Sequence, residues 1–200
     1  LSQADVSVLR QAYLQASSWV PELKDAFRYL FDLFTETQGT QKLLNENKLY
    51  FLMRCQQFTG PLEAKGVEDT TFYLYNRLIS HNEVGDSPEI FGISFQEFHE
   101  KMMARQVLSP HAISATATHD TKRGEDMRMR INVISELPDE WAESVKLWKS
   151  INEKHRKDLG QRKAPDDNDE YFIYQSVVGA LPLDKKPDAH FRSRMREYMT

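Results

Sequence analysis

Cysteine is almost missing from this chain: Cys55 is the single one among 200 residues, so no disulfide can close within it. Its neighbours Leu52, Met53 and Phe58 are apolar, which predicts a buried, reduced thiol and a cytoplasmic setting. Glycine and proline are sparse, eight of each, which excludes collagenous and low-complexity chains and leaves no room for a long linker. Apolar runs are short. Nothing approaches the roughly 18 uninterrupted residues of a membrane helix, and no charged start precedes an apolar stretch, so no signal peptide, span or membrane partner is expected. The chain opens on Leu1, not Met, and is expected to be part of something longer.

A basic surplus is also lacking. The net charge is −4 and the pI near 5.9, and the clusters at 154–157 and 192–196 lie among acids, so a nucleic-acid partner is not expected. No HExxH, CxxC or Asp-rich loop points to a metal. No GxSxG marks a serine hydrolase, and no Gly-rich fingerprint marks a dinucleotide. Neither metal nor organic cofactor is predicted.

What the chain does have is helical patterning. Ser2 with Asp5 caps a first helix carrying Val6, Leu9 and Tyr13, and Pro21 opens a second carrying Leu23, Phe27, Leu30, Phe31 and Phe34, ended by Thr37-Gln38-Gly39. Residues 40–57 read as a third, broken at Thr59-Gly60-Pro61, after which a loop leads into a helix at about 68–80. Ser94 with Glu97 caps another. His111 to Thr118, HAISATAT, alternates small and β-branched residues and predicts a buried strand. Its free edges would offer a pairing surface to a second copy, and hence a route to a homodimer. Helices follow within Thr121 to Leu137, closed by Pro138, and at 139–157, 170–181 and 188–199, with a loop at 158–169. The expectation is a mainly α chain, one helical region over 1–200 with segments 1–55, 56–136 and 137–200, and one or two short strands.

Two constellations could carry chemistry. THDTKR, Thr118 to Arg123, directly follows the strand candidate. His119 can donate to a hydroxyl and Asp120 can accept from two, which suits a grip on a sugar ring that develops positive charge. Equally, Asp120 could cap the next helix, with His119 a hydrogen-bonded core residue. Lys122 and Arg123 at a helix start oppose its dipole, a cost of about a few tenths of a kcal/mol that hints at a second purpose. In AKGVEDTTFYLYNR, Ala64 to Arg77, Gly66 lets the backbone bend so that Lys65 points into a cleft, while Tyr73, Tyr75 and Asn76 offer stacking and donors. The plainer reading makes Glu68 and Asp69 helix-start charges, one of them paired with Lys65.

Four blocks, Gln56 to Gly85, Phe91 to His99, Ala115 to Trp141 and Asp167 to Pro182, in this order and spacing, resemble the maltooligosyltrehalose synthases of the α-amylase superfamily. The resemblance implies a multi-helix piece of a (β/α)8-barrel glycosidase with helical insertions, from the C-terminal part of its catalytic region. It implies an isomerase, a (1→4)-α-D-glucan α-D-glucosylmutase. That reaction converts the reducing-end α-1,4 bond of a maltooligosaccharide into an α,α-1,1 bond by intramolecular transglycosylation. His119 and Asp120 match the pair that stabilises the transition state. Lys65 and Lys122 match basic residues on the acceptor side, and Glu68, Tyr73, Asn76 and Arg123 are further substrate-binding matches. The chain departs at Gly124, where the family has Ser, and at Leu62-Glu63. Neither the nucleophile nor the acid/base motif occurs in residues 1–55, so the chain alone is expected to be inactive. The alternatives are a non-catalytic helical interaction module and a part of a trehalose-releasing hydrolase.

Overall fold

The computed structural model describes residues 2–35, 46–183 and 186–199. The fold is mainly α. Two compact units form, Leu1–Ala64 and Lys65–Thr200.

The first unit contains α1 (Gln3–Trp19), α2 (Lys24–Thr35) and α3 (Glu46–Glu63). Ser2 caps α1 reciprocally: Asp5 N donates to Ser2 Oγ at 3.2 Å, and Ser2 N donates to Asp5 Oδ2 at 2.6 Å. Pro21 starts a 3-10 turn, Pro21–Leu23, that leads into α2. Leu9 and Tyr13 of α1 face Phe27, Leu30, Phe31 and Phe34 of α2 along a shallow groove, and the rings of Tyr13 and Phe31 stack at 5.6 Å. The helix end expected at Thr37-Gln38-Gly39 lies outside the described residues.

Gly60-Pro61 does not break α3. The helix carries Pro61 inside it and then widens into a π-helix over Ala64–Thr71. Thr70 Oγ1 donates to Lys65 O at 2.8 Å and Thr71 Oγ1 to Gly66 O at 2.9 Å, so threonine hydroxyls meet carbonyls five positions back. A short α4 (Phe72–Leu74) follows, and Tyr75 leaves helical geometry, which replaces the long helix expected to about residue 80. Cys55 is partly exposed, not buried.

The second unit packs α6 (Glu125–Asn132) against α8 (Asp167–Ala180), with the 3-10 turn Ile79–His81 laid on α6. Its core is Leu78, Ile79, Ile131 and Ile134, flanked by Met127, Trp141, Phe172 and Val178. Gly179 brings α8 close: a Cβ there would sit 2.8 Å from Met127 Cγ and 2.9 Å from Ile131 Cδ1. α7 (Pro138–Asn152) begins on proline, as its sequence predicts, and sends Trp141 Nε1 to Tyr171 Oη at 2.9 Å. α5 (Phe95–Leu108) has the expected Ser94–Glu97 capping box, and Asp188 caps α9 (Ala189–Tyr198).

Strands occur where a loop was expected. β1 (Lys157–Asp158) and β2 (Lys163–Ala164) form an antiparallel hairpin with Gly160 at φ +87° in its turn. The segment 111–118 is instead exposed and irregular, and so the strand edge expected to carry a homodimer is not there. A strand needs a ladder partner for its backbone groups, and among the described residues none lies beside it. No described helix is long and apolar enough to cross a membrane.

Candidate functional site

All eight residues singled out from the sequence belong to the second unit. Between Tyr75 and Glu83 only the 3-10 turn Ile79–His81 is regular, yet most of the stretch is buried, so its backbone groups need partners other than a helix or sheet. Side chains supply them. Gln175, fully buried on α8, accepts from Ile79 N at 2.9 Å and donates to Asn76 O at 2.7 Å. Asn82 Nδ2 donates to Phe72 O and Tyr75 O at 2.8 and 2.7 Å, and Asn168 Nδ2 donates to Leu74 O at 2.9 Å.

This frame settles two of the eight. Asn76 and Arg123 are each only 4 % exposed. Asn76 lies against Asn168 O at 3.5 Å. Arg123 donates to Ile79 O, Asn82 O and Tyr198 Oη at 3.2 to 3.3 Å, with its guanidinium over the Phe172 ring. Both side chains are thus nearly enclosed, and both tie the irregular stretch to the helices.

Four others make a cluster. Lys65 Nζ donates to Asp69 Oδ2 at 2.5 Å, and Lys122 Nζ donates to Asp69 Oδ1 at 2.7 Å. Lys122 also lies over the Tyr73 ring at 5.8 Å. Hydrogen bonds from Lys122 and then Lys65 hold the Asp69 carboxyl down at about 2. The same bond, from the other side, raises the Lys122 pKa, with Glu68 among the smaller contributors. The plainer expectation, Lys65 paired with a neighbouring acid, is therefore realised, and Asp69 is the acid. Lys65 itself remains mostly exposed, while Lys122 is largely covered.

His119 and Asp120 stand apart from this cluster and open to solvent, at 91 % and 66 % side-chain exposure. A turn carries them: Asp120 N donates to Thr118 Oγ1 at 3.3 Å, and Thr121 Oγ1 donates to Thr118 O at 2.8 Å. The His119 ring lies against Asp120, with Nε2 and Oδ2 3.3 Å apart. Asp120 does not cap α6, whose N-cap is Gly124 with no side-chain bond. Nor is His119 a core residue. Both capping and burial, the structural alternatives for the pair, are absent from the described geometry.

Two residues escaped the sequence reading as site candidates. Asp69 is the acid shared by both lysines, and its i, i+4 spacing from Lys65 was a usable signal. Glu83 is 4 % exposed and accepts from the backbone amides of Lys122 and Arg123 at 2.6 and 3.0 Å. It is about forty positions away in sequence, and no local pattern announces it.

No protein-family model matches the chain. A curated relative from Mycobacterium tuberculosis, "Putative maltooligosyl trehalose synthase", is 39 % identical over 146 residues, 73 % of this chain and 18 % of the relative. The solved maltooligosyltrehalose synthase of Arthrobacter ramosus superposes with a TM-score of 0.73 at 30 % identity, over 97 % of this chain and 22 % of that one. This chain belongs to the maltooligosyl trehalose synthase family. A third member, a "hypothetical maltooligosyl trehalose synthase" from Sulfolobus tokodaii, gives a TM-score of 0.65 at 32 % identity over 86 % of this chain and 26 % of that one. The chain thus corresponds to a region of a maltooligosyl trehalose synthase, about a fifth of the length of the curated relative it matches.

Proposed function

We propose that this region forms one wall of the saccharide cleft of a maltooligosyl trehalose synthase, the wall that grips the sugar ring at the point of cleavage. The observation that carries the reading is the exposed His119-Asp120 turn, whose polar atoms make few protein contacts and are open to a ligand. In the proposed reaction the reducing-end α-1,4 bond of a maltooligosaccharide is cleaved and remade as an α,α-1,1 bond. As the bond breaks, positive charge spreads over the ring carbon and oxygen. The Asp120 carboxylate, accepting from ring hydroxyls, and His119, donating to one, favour that distribution over the neutral ground state.

Lys65 and Lys122 take the acceptor side, where the released glucose must turn before it re-attacks. Lys122 is suited to a fixed role because Asp69 and Tyr73 restrain its ammonium. Lys65 has the freedom to follow a moving sugar. Tyr73, about half exposed, offers a ring face for stacking, and Glu68, partly exposed, a further acceptor. Retaining chemistry needs two more carboxylates about 5 to 5.5 Å apart. The resemblance places both outside the four matched blocks, so the 200-residue chain is expected to bind glucan without turning it over. The lone cysteine supports a cytoplasmic setting.

Titrating maltopentaose onto the chain, and onto its Asp120→Ala and Lys65→Ala variants, tests the reading. Weak binding that both substitutions reduce is expected. Absence of binding, or binding that neither change alters, overturns it. On the longer protein that contains this region, the expected product is a chain capped by trehalose, and release of free trehalose would assign a hydrolase instead.

A further inference from the structure

His119 and Asp120 are too exposed to hold themselves in place, so their position must come from whatever fixes the chain on either side. On the C-terminal side two carboxylates do so. Asp69 holds the Lys122 side chain, and Glu83 holds the Lys122 and Arg123 backbone. We propose that Glu83 is the positioning residue of the sugar-gripping turn, a buried carboxylate that clamps two successive amides directly after it. The proposal rests on the cleft reading above and deepens it.

An acid enclosed at 4 % exposure costs free energy unless its oxygens are fully used. Here they are. Oε1 accepts from Lys122 N at 2.6 Å and from Val84 N at 3.0 Å, Oε2 accepts from Arg123 N at 3.0 Å, and Arg128 Nε stands 4.0 Å from Oε2. Donors therefore face both oxygens. A carboxylate is the one side-chain head of this shape with acceptors at both positions, whereas a glutamine would turn an NH2 group toward one of the amides. The arrangement thus selects glutamate for its chemistry as well as its length.

The clamp is also well founded. Asn82, the preceding residue, is fully buried and bonded to Phe72 O and Tyr75 O, and Arg123 returns hydrogen bonds to Ile79 O and Asn82 O. The segment that carries Glu83 and the segment it holds therefore grip each other. From Lys122 to Asp120 is two residues, a span over which a fixed amide leaves little freedom to the carboxylate that meets the sugar.

Amide hydrogen exchange by NMR on the 200-residue chain, joined to maltopentaose titration, tests this. In the native chain the Lys122 and Arg123 amides should be protected, unlike that of exposed Ile113. Glu83→Gln should speed exchange at both and weaken maltopentaose binding by about tenfold or more, the scale of one lost charge-assisted hydrogen bond. Protection in α8 should persist. Glu83→Asp, which keeps both acceptors on a shorter stem, should fall between. Asp120→Ala should weaken binding and leave exchange at 122 and 123 unchanged, which separates gripping from positioning. Unprotected amides in the native chain, or unaltered binding in Glu83→Gln, would overturn the clamp. Should the native chain bind no maltopentaose, the cleft reading fails and exchange in the native chain and in Glu83→Gln judges the clamp. Should Glu83→Gln not fold, exchange in the native chain together with Glu83→Asp judges it.

Discussion

Asp69 Oδ1 accepts from Lys122 Nζ at 2.7 Å across fifty-three positions of sequence, and its second oxygen accepts from Lys65 Nζ at 2.5 Å. One acid thus joins the π-helical turn that carries Lys65 to the loop that carries Asp120. An i, i+4 pair on a surface helix is worth little by itself. The long-range bond is the one that constrains the site, because Lys122 is well covered and has the Tyr73 ring beside it.

The Asp69 pKa, lowered from 3.8 to about 2, gives this bridge a pH window. A depressed acid stabilises the fold above its unfolded value and loses that contribution as pH falls through the folded one. The stabilisation should be complete above pH 4 or so and fade toward pH 2. Lys122, raised above 10.5, keeps its part until strongly alkaline pH. Thermal melts of the native chain and of Asp69→Asn should differ at pH 7, with the variant lower, and converge near pH 2. A constant difference across that range would remove the bridge as the cause.

Gln175→Leu should destabilise the second unit by about 2–5 kcal/mol, because two buried backbone groups, Ile79 N and Asn76 O, lose their partner together. Urea unfolding measures it. A loss under about 1 kcal/mol would mean that water reaches both groups.

Gly179→Ala places a methyl against Met127 and Ile131, inside ordinary contact distance. Overpacking costs about 1–3 kcal/mol, and the helix-propensity gain of about 1 kcal/mol offsets only part of it. Net destabilisation in urea is expected. A stabilised variant would show that α6 and α8 can separate without loss.

His119→Ala and Asp120→Asn, by contrast, should leave stability within about 0.5 kcal/mol of the native chain, since neither side chain is packed. A large fall in melting temperature for either would mean that the pair serves the fold and not a ligand.

Three helix starts were legible because residues close in sequence set them. Ser2 with Asp5, Ser94 with Glu97, and proline at the start of α7 work through atoms within three or four positions, so their spacing carries the information. That the His119-Asp120 pair stands exposed was not legible, because exposure depends on what packs around it. Three expectations turned on partners that no local pattern specifies. Residues 111–118 look like a strand but, among the described residues, have no neighbour to pair with. Gly60-Pro61 looks like a stop, yet α3 carries Pro61 and passes into π geometry. Asn76 and Arg123 look like sugar ligands, yet both are nearly enclosed: Asn76 donates to Asn168 O of α8, and Arg123 to Ile79 O and Asn82 O.

By itself the order of residues determined the helical character, the caps and the family, because periodicity, capping and motif order are written along one dimension. Only the tertiary structure decided which charged groups are spent inside and which face outward. Burial and long-range pairing depend on what lies across space, and Glu83 beside Lys122 and Gln175 beside Ile79 meet only once the chain has folded.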